Sequence, residues 1–224
     1  MYYGFEVFTK IDYMKEINTE DILKYAFNSN KIDKIEQILF LNCIQEYVVN
    51  KKDVNTVFVN INLNSYESYI NKPRIYDFMN KVELVVEFTG YEKYNISHVQ
   101  DKIDMIHKNN GKVLLNHFGI GTYLMDDISR LNVDYLKLDK SMLKDVVTST
   151  EKQKLISDLV TLCLSKEIKF IVVGVENKEM FNILKKIGVK YMQGFYLDKP
   201  KTEINILDKD TIKTITQNSN DVIT

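Results

Sequence analysis

The sequence predicts an α/β fold, a closed barrel of the (β/α)8 kind built as a single domain. Two observations carry this expectation. Short apolar runs alternate with longer segments of helical period about seven times along the chain. That rhythm implies a largely parallel sheet with helices on its outside. The chain has 224 residues, 45% of them hydrophobic, which is enough to fill one large core. An open doubly wound sheet is the alternative. It fits less well, because no Gly-rich phosphate turn follows the first strand.

Taken in order, the first strand candidate is YYGFEVF (2–8), rich in aromatic and β-branched residues. The segment KIDKIEQILFLNCIQEYVV (31–49) has apolar residues at helical spacing. VFVNINL (57–63) and LVVEF (84–88) read as strands, followed by a helix at ISHVQDKIDMIHK (96–108). KVLLN (112–116) and YLKLD (135–139) are strands, and EKQKLISDLVTLCLSKE (151–167) a helix. FIVVGVE (170–176), a helix at KEMFNILKKIG (178–188) and the strand YMQGFYL (191–197) complete the series. The aromatic segment 65–81 reads as a helix with a buried Tyr/Phe face, or as an interaction surface. Only Pro73 and Pro200 occur, and no Gly/Ser linker marks an internal boundary. The barrel is expected over 1–202, with 203–224 as a C-terminal extension whose polar end, 216–224, frays.

Composition excludes several classes. Net charge is −1, with no basic excess to suggest direct DNA binding. Cys43 and Cys163 fit no metal or redox spacing and read as buried small hydrophobes in a reducing compartment. The N-terminus lacks a signal-peptide pattern, and no apolar run is long enough to cross a bilayer. A cytoplasmic protein without membrane contact is expected.

Chemistry in such barrels sits at the carboxyl ends of the strands. Polar residues interrupt the apolar strands near those ends: Glu6, Asn60, Glu87, Asn116 with His117, Lys137 with Asp139, Glu176 and Gln193. A buried acid is costly unless paired or metal-bound, so one such residue has a structural explanation. Acids and amides on most strands together point to a pocket.

These residues, in this order, resemble the EAL family of cyclic di-GMP phosphodiesterases, over about residues 3–200. GFEVFTK resembles the opening motif, and VFVNINL the strand of the metal-binding Asn. LVVEFTG resembles LEITE, and NHFGIG stands where the family has DDFGTG. VDYLKLDKSML is similar to VDxLKIDRSFV, and VVGVENKEMFNILKKIGVKYMQGFYLDKP to AEGVETxxQxxxLxxxGxxxxQGYxxxxP. The resemblance implies a modified (β/α)8 barrel. In active members two Mg2+ or Mn2+ ions activate water and stabilise phosphate charge.

Carried over by position, Glu6, Asn60 and Glu87 match metal ligands, and Lys137 matches the lysine near the attacking water. Glu6, Lys10, Asp139, Glu176 and Gln193 match positions expected to bind ligand. The departures fall on the chemistry. The paired aspartates are Asn116 and His117, and the first Glu of EGVE, ligand and proposed base, is Val173. The second Glu of LEITE is Gly90, and the Arg ending the opening motif is Lys10, which gives up the bidentate phosphate fork.

An amide is a weak substitute for a carboxylate on Mg2+, imidazole is a poor Mg2+ ligand, and Val offers nothing. Three negative charges that would offset the repulsion between two cations are gone. The expectation is a degenerate, stand-alone bacterial member with no required cofactor and at most one weakly held Mg2+ or Mn2+. It would act as a cyclic di-GMP receptor or as a protein-binding regulator. The alternatives are a phosphodiesterase with altered metal use and a chain in which His117 serves as a new base. Gly121 persists after the Phe-Gly pair, and Tyr123 is a candidate to plug the pocket. By resemblance alone, a homodimer would form through TYLMDDISRL and KSMLKDVV.

Overall fold

The computed structural model describes residues 3–8, 19–50, 56–62, 73–89, 95–120 and 125–201. Their elements alternate as expected: β1 (Gly4–Val7), α1 (Thr19–Asn28), α2 (Ile32–Asn50), β2 (Thr56–Asn62), α3 (Pro73–Met79), β3 (Glu83–Thr89) and α4 (Ile96–Lys108). There follow β4 (Lys112–Phe118), α5 (Met125–Arg130), β5 (Tyr135–Leu138), a 3-10 turn (Lys140–Leu143), α6 (Thr150–Ser165), β6 (Lys169–Val173), α7 (Lys178–Ile187) and β7 (Tyr191–Gln193). Seven strands and four of the helices fall where hydrophobic periodicity puts them. The helix α3 lies within the segment 65–81 that reads as a helix or an interaction surface, and α1 and α5 are additions.

The described residues gather into two compact units. One is formed by those within 4–90 and 104–112, the other by Tyr3 with those within 91–103 and 113–201. In the first, β1 pairs parallel with β2 and β2 with β3, placing Glu6 beside Phe58 and Asn60 beside Glu87. The inner five residues of β3 are all buried, the continuous apolar pattern of a strand covered on both faces. The helix α2 covers this sheet through Phe40, Cys43, Ile44 and Tyr47, whose i, i+3, i+4, i+7 spacing makes one apolar stripe. Burial pushes the Tyr47 hydroxyl up to about 12.

In the second unit β4, β5, β6 and β7 pair parallel in chain order. All four residues of β5 are buried. The helix α6 packs through Ile156, Leu159, Val160 and Cys163, and its N-terminus is capped by Ser149, whose hydroxyl accepts from the Lys152 amide at 3.3 Å. The helix α7 begins at Asn177, whose side chain accepts from the Met180 amide at 2.9 Å. It ends on Gly188 in the left-handed conformation, φ 100°, which a β-carbon disfavours.

The amino-terminal ends of these strands carry a polar cluster. The Tyr3 and Tyr135 hydroxyls are 2.8 Å apart. Lys169 Nζ donates to both, at 3.2 Å for Tyr135. The Tyr191 ring meets Tyr3 edge-on at 4.9 Å. Burial first, and then the neighbouring Tyr3, raise the Tyr191 hydroxyl against the opposing pull of Lys169. A lysine beside three phenols satisfies polar groups that would otherwise be stranded at the sheet edge.

Candidate functional site

The polar strand-end residues divide between the two units. Glu6, Asn60 and Glu87 lie in the first. Asn60 Nδ2 donates to Glu6 Oε1 at 3.2 Å, and Glu87, wholly buried at 0% exposure, is the register neighbour of Asn60. Parallel pairing of three strands puts two carboxylates and an amide on adjacent positions, which is how residues 6, 60 and 87 meet despite their separation. Among the described residues no three His, Cys, Asp or Glu side chains gather as a metal-holding group.

In the second unit the carboxyl ends of β4 and β5 meet irregularly. Leu115 pairs with Leu136 and Phe118 with Leu138, so an extra residue is accommodated at Asn116–His117. His117 takes up the strain at φ 57°, a left-handed conformation that His adopts more readily than most residues. Asn116 turns inward, 9% exposed, and its own Oδ1 accepts the His117 amide at 2.8 Å. The His117 ring is directed outward, with 35% of its side chain exposed, and its Nδ1 lies 3.0 Å from Asp139 Oδ2.

Asp139 stands one residue beyond β5 and is held from two sides. Oδ2 meets His117, and Oδ1 accepts the Ser141 amide at 2.9 Å. Burial alone would push this carboxyl up. The hydrogen bonds from His117 and Ser141 outweigh it and hold the group below the usual carboxylate range. Asp139 therefore stays ionised opposite the imidazole.

No acid flanks His117 in the sequence, so sequence reading leaves the ring without a partner. Strand pairing supplies one 22 residues away. Ser141 is the residue that sequence reasoning missed. The signal was present: Asp followed two residues later by Ser after an apolar strand is a cap, and Asp139 caps the 3-10 turn.

Lys137, two residues before Asp139, is 5% exposed. Val173 ends β6 and pairs with Gln193 of β7. The Gln193 side chain is exposed, while its carbonyl accepts the Gly174 and Val175 amides at 2.8 and 3.0 Å. Glu176 follows β6 and is exposed. Lys10, Gly90, Gly121, Tyr123, residues 65–72 and the extension 203–224 lie outside the described residues.

Residues 2–200 match the family model described as EAL domain. Among curated relatives, the "Probable cyclic di-GMP phosphodiesterase PdeG" of Escherichia coli is 26% identical over 169 residues, 73% of this chain and 32% of that protein. The chain thus spans about a third of that relative's length. A crystal structure of an EAL domain protein from Listeria monocytogenes superposes with a TM-score of 0.75 at 21% identity, covering 96% of this chain and 85% of that one. The Xanthomonas citri FimX EAL domain, solved in complex with c-diGMP, gives a TM-score of 0.75 at 17% identity, covering 92% and 85%. These likenesses show the fold: α/β, the TIM-like barrel of EAL domains.

Proposed function

The chain belongs to the EAL domain family, and from that premise we propose that it is a non-hydrolysing member that binds cyclic di-GMP as a receptor. One observation carries this reading: the His117 imidazole stands in hydrogen-bond contact with Asp139, Nδ1 to Oδ2 at 3.0 Å. The family pattern has an aspartate at position 117, so an anion there has been exchanged for a ring that pairs with a neighbouring anion. With Asn116 engaged by its own backbone and Val173 offering no donor, nothing at these three positions offsets the mutual repulsion of two divalent cations. Water activation by a metal pair then falls by orders of magnitude. At most one Mg2+ or Mn2+ would be held weakly, by Glu6, Asn60 and Glu87.

Loss of hydrolysis leaves the contacts to bases and phosphates. The ligand-binding group is Glu6, Lys10, Asp139, Glu176 and Gln193, with Lys137 retained as a remnant of the catalytic set. A homodimer through 122–131 and 140–147 is part of this reading, and Met125, the first residue of α5, is exposed. Sedimentation of a monomer at micromolar concentration excludes it.

Isothermal titration with cyclic di-GMP in Mg2+, followed by chromatography of the mixture, tests the proposal. Saturable low-micromolar binding without linear pGpG is the expected result. Linear product overturns the proposal in favour of a phosphodiesterase with altered metal use. Absence of binding overturns it in favour of a protein-binding regulator.

A further inference from the structure

The strands β6 and β7 carry Val173 and Gln193 at their carboxyl ends. Their amino ends hold a different feature. A cavity of about 160 Å3 lies there, between the end of α6, the start of β6 and the turn from α7 into β7. Its wall is apolar, formed by Val160, Leu164, Ile168, Phe170 and Val189. Four of these are buried, whereas Leu164 is 58% exposed and marks the mouth. Gly188 completes the wall, and a β-carbon there would meet only Val160 Cγ1, at 3.7 Å. The left-handed helix end requires that glycine, and its missing side chain keeps the space beside Val160 open.

The ordinary reading of such a void is imperfect packing, which deprives the lining of contacts. The charge at the mouth goes beyond that. Lys169, Lys190 and Glu167 line it, and Lys166 and Lys186 are exposed on the same two helix ends. The Lys169 ammonium is engaged by Tyr3 and Tyr135, so it adds charge to the mouth rather than a donor. Two helix C-termini would favour a cation. Their last carbonyls are already bonded, however. Cys163 accepts from the Lys166 and Ile168 amides, Leu164 from Glu167, Lys185 from Gly188 and Leu184 from Val189. The lysines outweigh Glu167 and leave the mouth positive.

An apolar cavity of about 150 Å3 admits one benzene-sized molecule. We propose that this cavity binds a small carboxylic acid whose apolar body is a single ring. The ring enters beside Val160 and Phe170, and the carboxylate stays at the mouth against exposed Lys190. The cavity and Val173 lie at opposite ends of the five-residue strand β6, about 13 Å apart. The inference therefore goes beyond the receptor reading and does not depend on it.

The test is titration of the isotope-labelled full chain with benzoate, followed by amide proton–nitrogen correlation spectra. Saturable shifts confined to residues 163–170 and 188–191 are expected, with a dissociation constant of about 0.1–1 mM, in the range open to a nine-heavy-atom ligand. Benzyl alcohol, the neutral analogue, is expected to bind at the same residues more weakly. Lys190→Glu changes an exposed residue and should weaken benzoate about three- to tenfold while leaving benzyl alcohol unchanged. Val160→Phe fills the cavity and should abolish binding of both. If that variant does not fold, the Lys190→Glu comparison and the shift map still decide the matter. Shifts that stay linear to about 10 mM benzoate overturn the inference, as do shifts scattered over surface lysines or centred on Glu176 and Gln193. Benzyl alcohol binding as tightly as benzoate, or indifference of benzoate to Lys190→Glu, overturns the anionic class of ligand. Every one of these results leaves the receptor reading to its own titration with cyclic di-GMP.

Discussion

The Gly194→Ala substitution tests how closely β7 is locked to the segment after β6. A β-carbon at 194 would lie 2.2 Å from the Val175 oxygen and 2.3 Å from its nitrogen, against ordinary contacts of 3.4–4 Å. Relief needs a backbone shift of roughly 1 Å, because both obstacles are main-chain atoms. That backbone carries the Val175 amide bond to Gln193 O (3.0 Å) and the Tyr196 amide bond to Val175 O (3.0 Å). Overpacking costs about 1–3 kcal/mol, and each weakened hydrogen bond adds about 0.5–1.5 kcal/mol. A total near ~3 kcal/mol lowers the melting temperature by about 6–12 °C in a chain of this size. The control is Gly188→Ala, whose nearest neighbour is Val160 Cγ1 at 3.7 Å and whose strain comes only from φ 100°; about 1–2 kcal/mol is expected. Circular dichroism melts of both variants decide the point. If Gly194→Ala melts within ~1 °C of wild type, or above Gly188→Ala, the close approach of 194 to Val175 is not a constraint.

The Asp139 carboxyl titrates lower in the fold than in the unfolded chain, so its stabilisation is full above the unfolded pKa of ~3.9 and is lost as pH falls through the folded value. Asp139→Asn should melt below wild type at pH 7, with the gap closing below about pH 4 as the wild-type carboxyl protonates; a gap that persists undiminished below that range contradicts the assignment. The buried Cys163 thiol, pushed up to about 11, should resist an aromatic disulfide reagent at pH 8 in the native protein and react on unfolding. Labelling at the rate of a free thiol refutes its burial. Tyr135→Phe removes one hydroxyl from the Tyr3–Lys169 cluster and should cost about 1–2 kcal/mol in a denaturant titration; an unchanged midpoint removes the cluster from the stabilising set.

Hydrophobic periodicity located the strands because each is short, apolar and bounded by polar residues, and because parallel strands leave few exposed positions to blur the pattern. It located α2, α4, α6 and α7 because each buries one stripe over ten residues or more. The helix α5, six residues long, offers too few turns for a stripe to be read. Candidate site residues were legible singly, as polar interruptions of apolar strands. Their pairings were not. The His117–Asp139 contact depends on register between β4 and β5, and that register is broken by a bulge whose left-handed residue is a histidine rather than a signalling glycine. The contact of Asn60 with Glu6 likewise follows from which strands lie side by side.

The lysine–tyrosine cluster has a consequence for how the chain is made. Tyr3 meets Tyr135, Lys169 and Tyr191, partners up to 188 positions later. At ~5–20 residues per second on the ribosome, Tyr3 waits on the order of 10–40 s for the last of them. The unit built from 4–90 and 104–112 has all its residues once Lys112 has been added. The other cannot complete until β7 emerges. Synthesis therefore orders the two units in time, and the nascent chain holds Tyr3 in reserve as the final clasp.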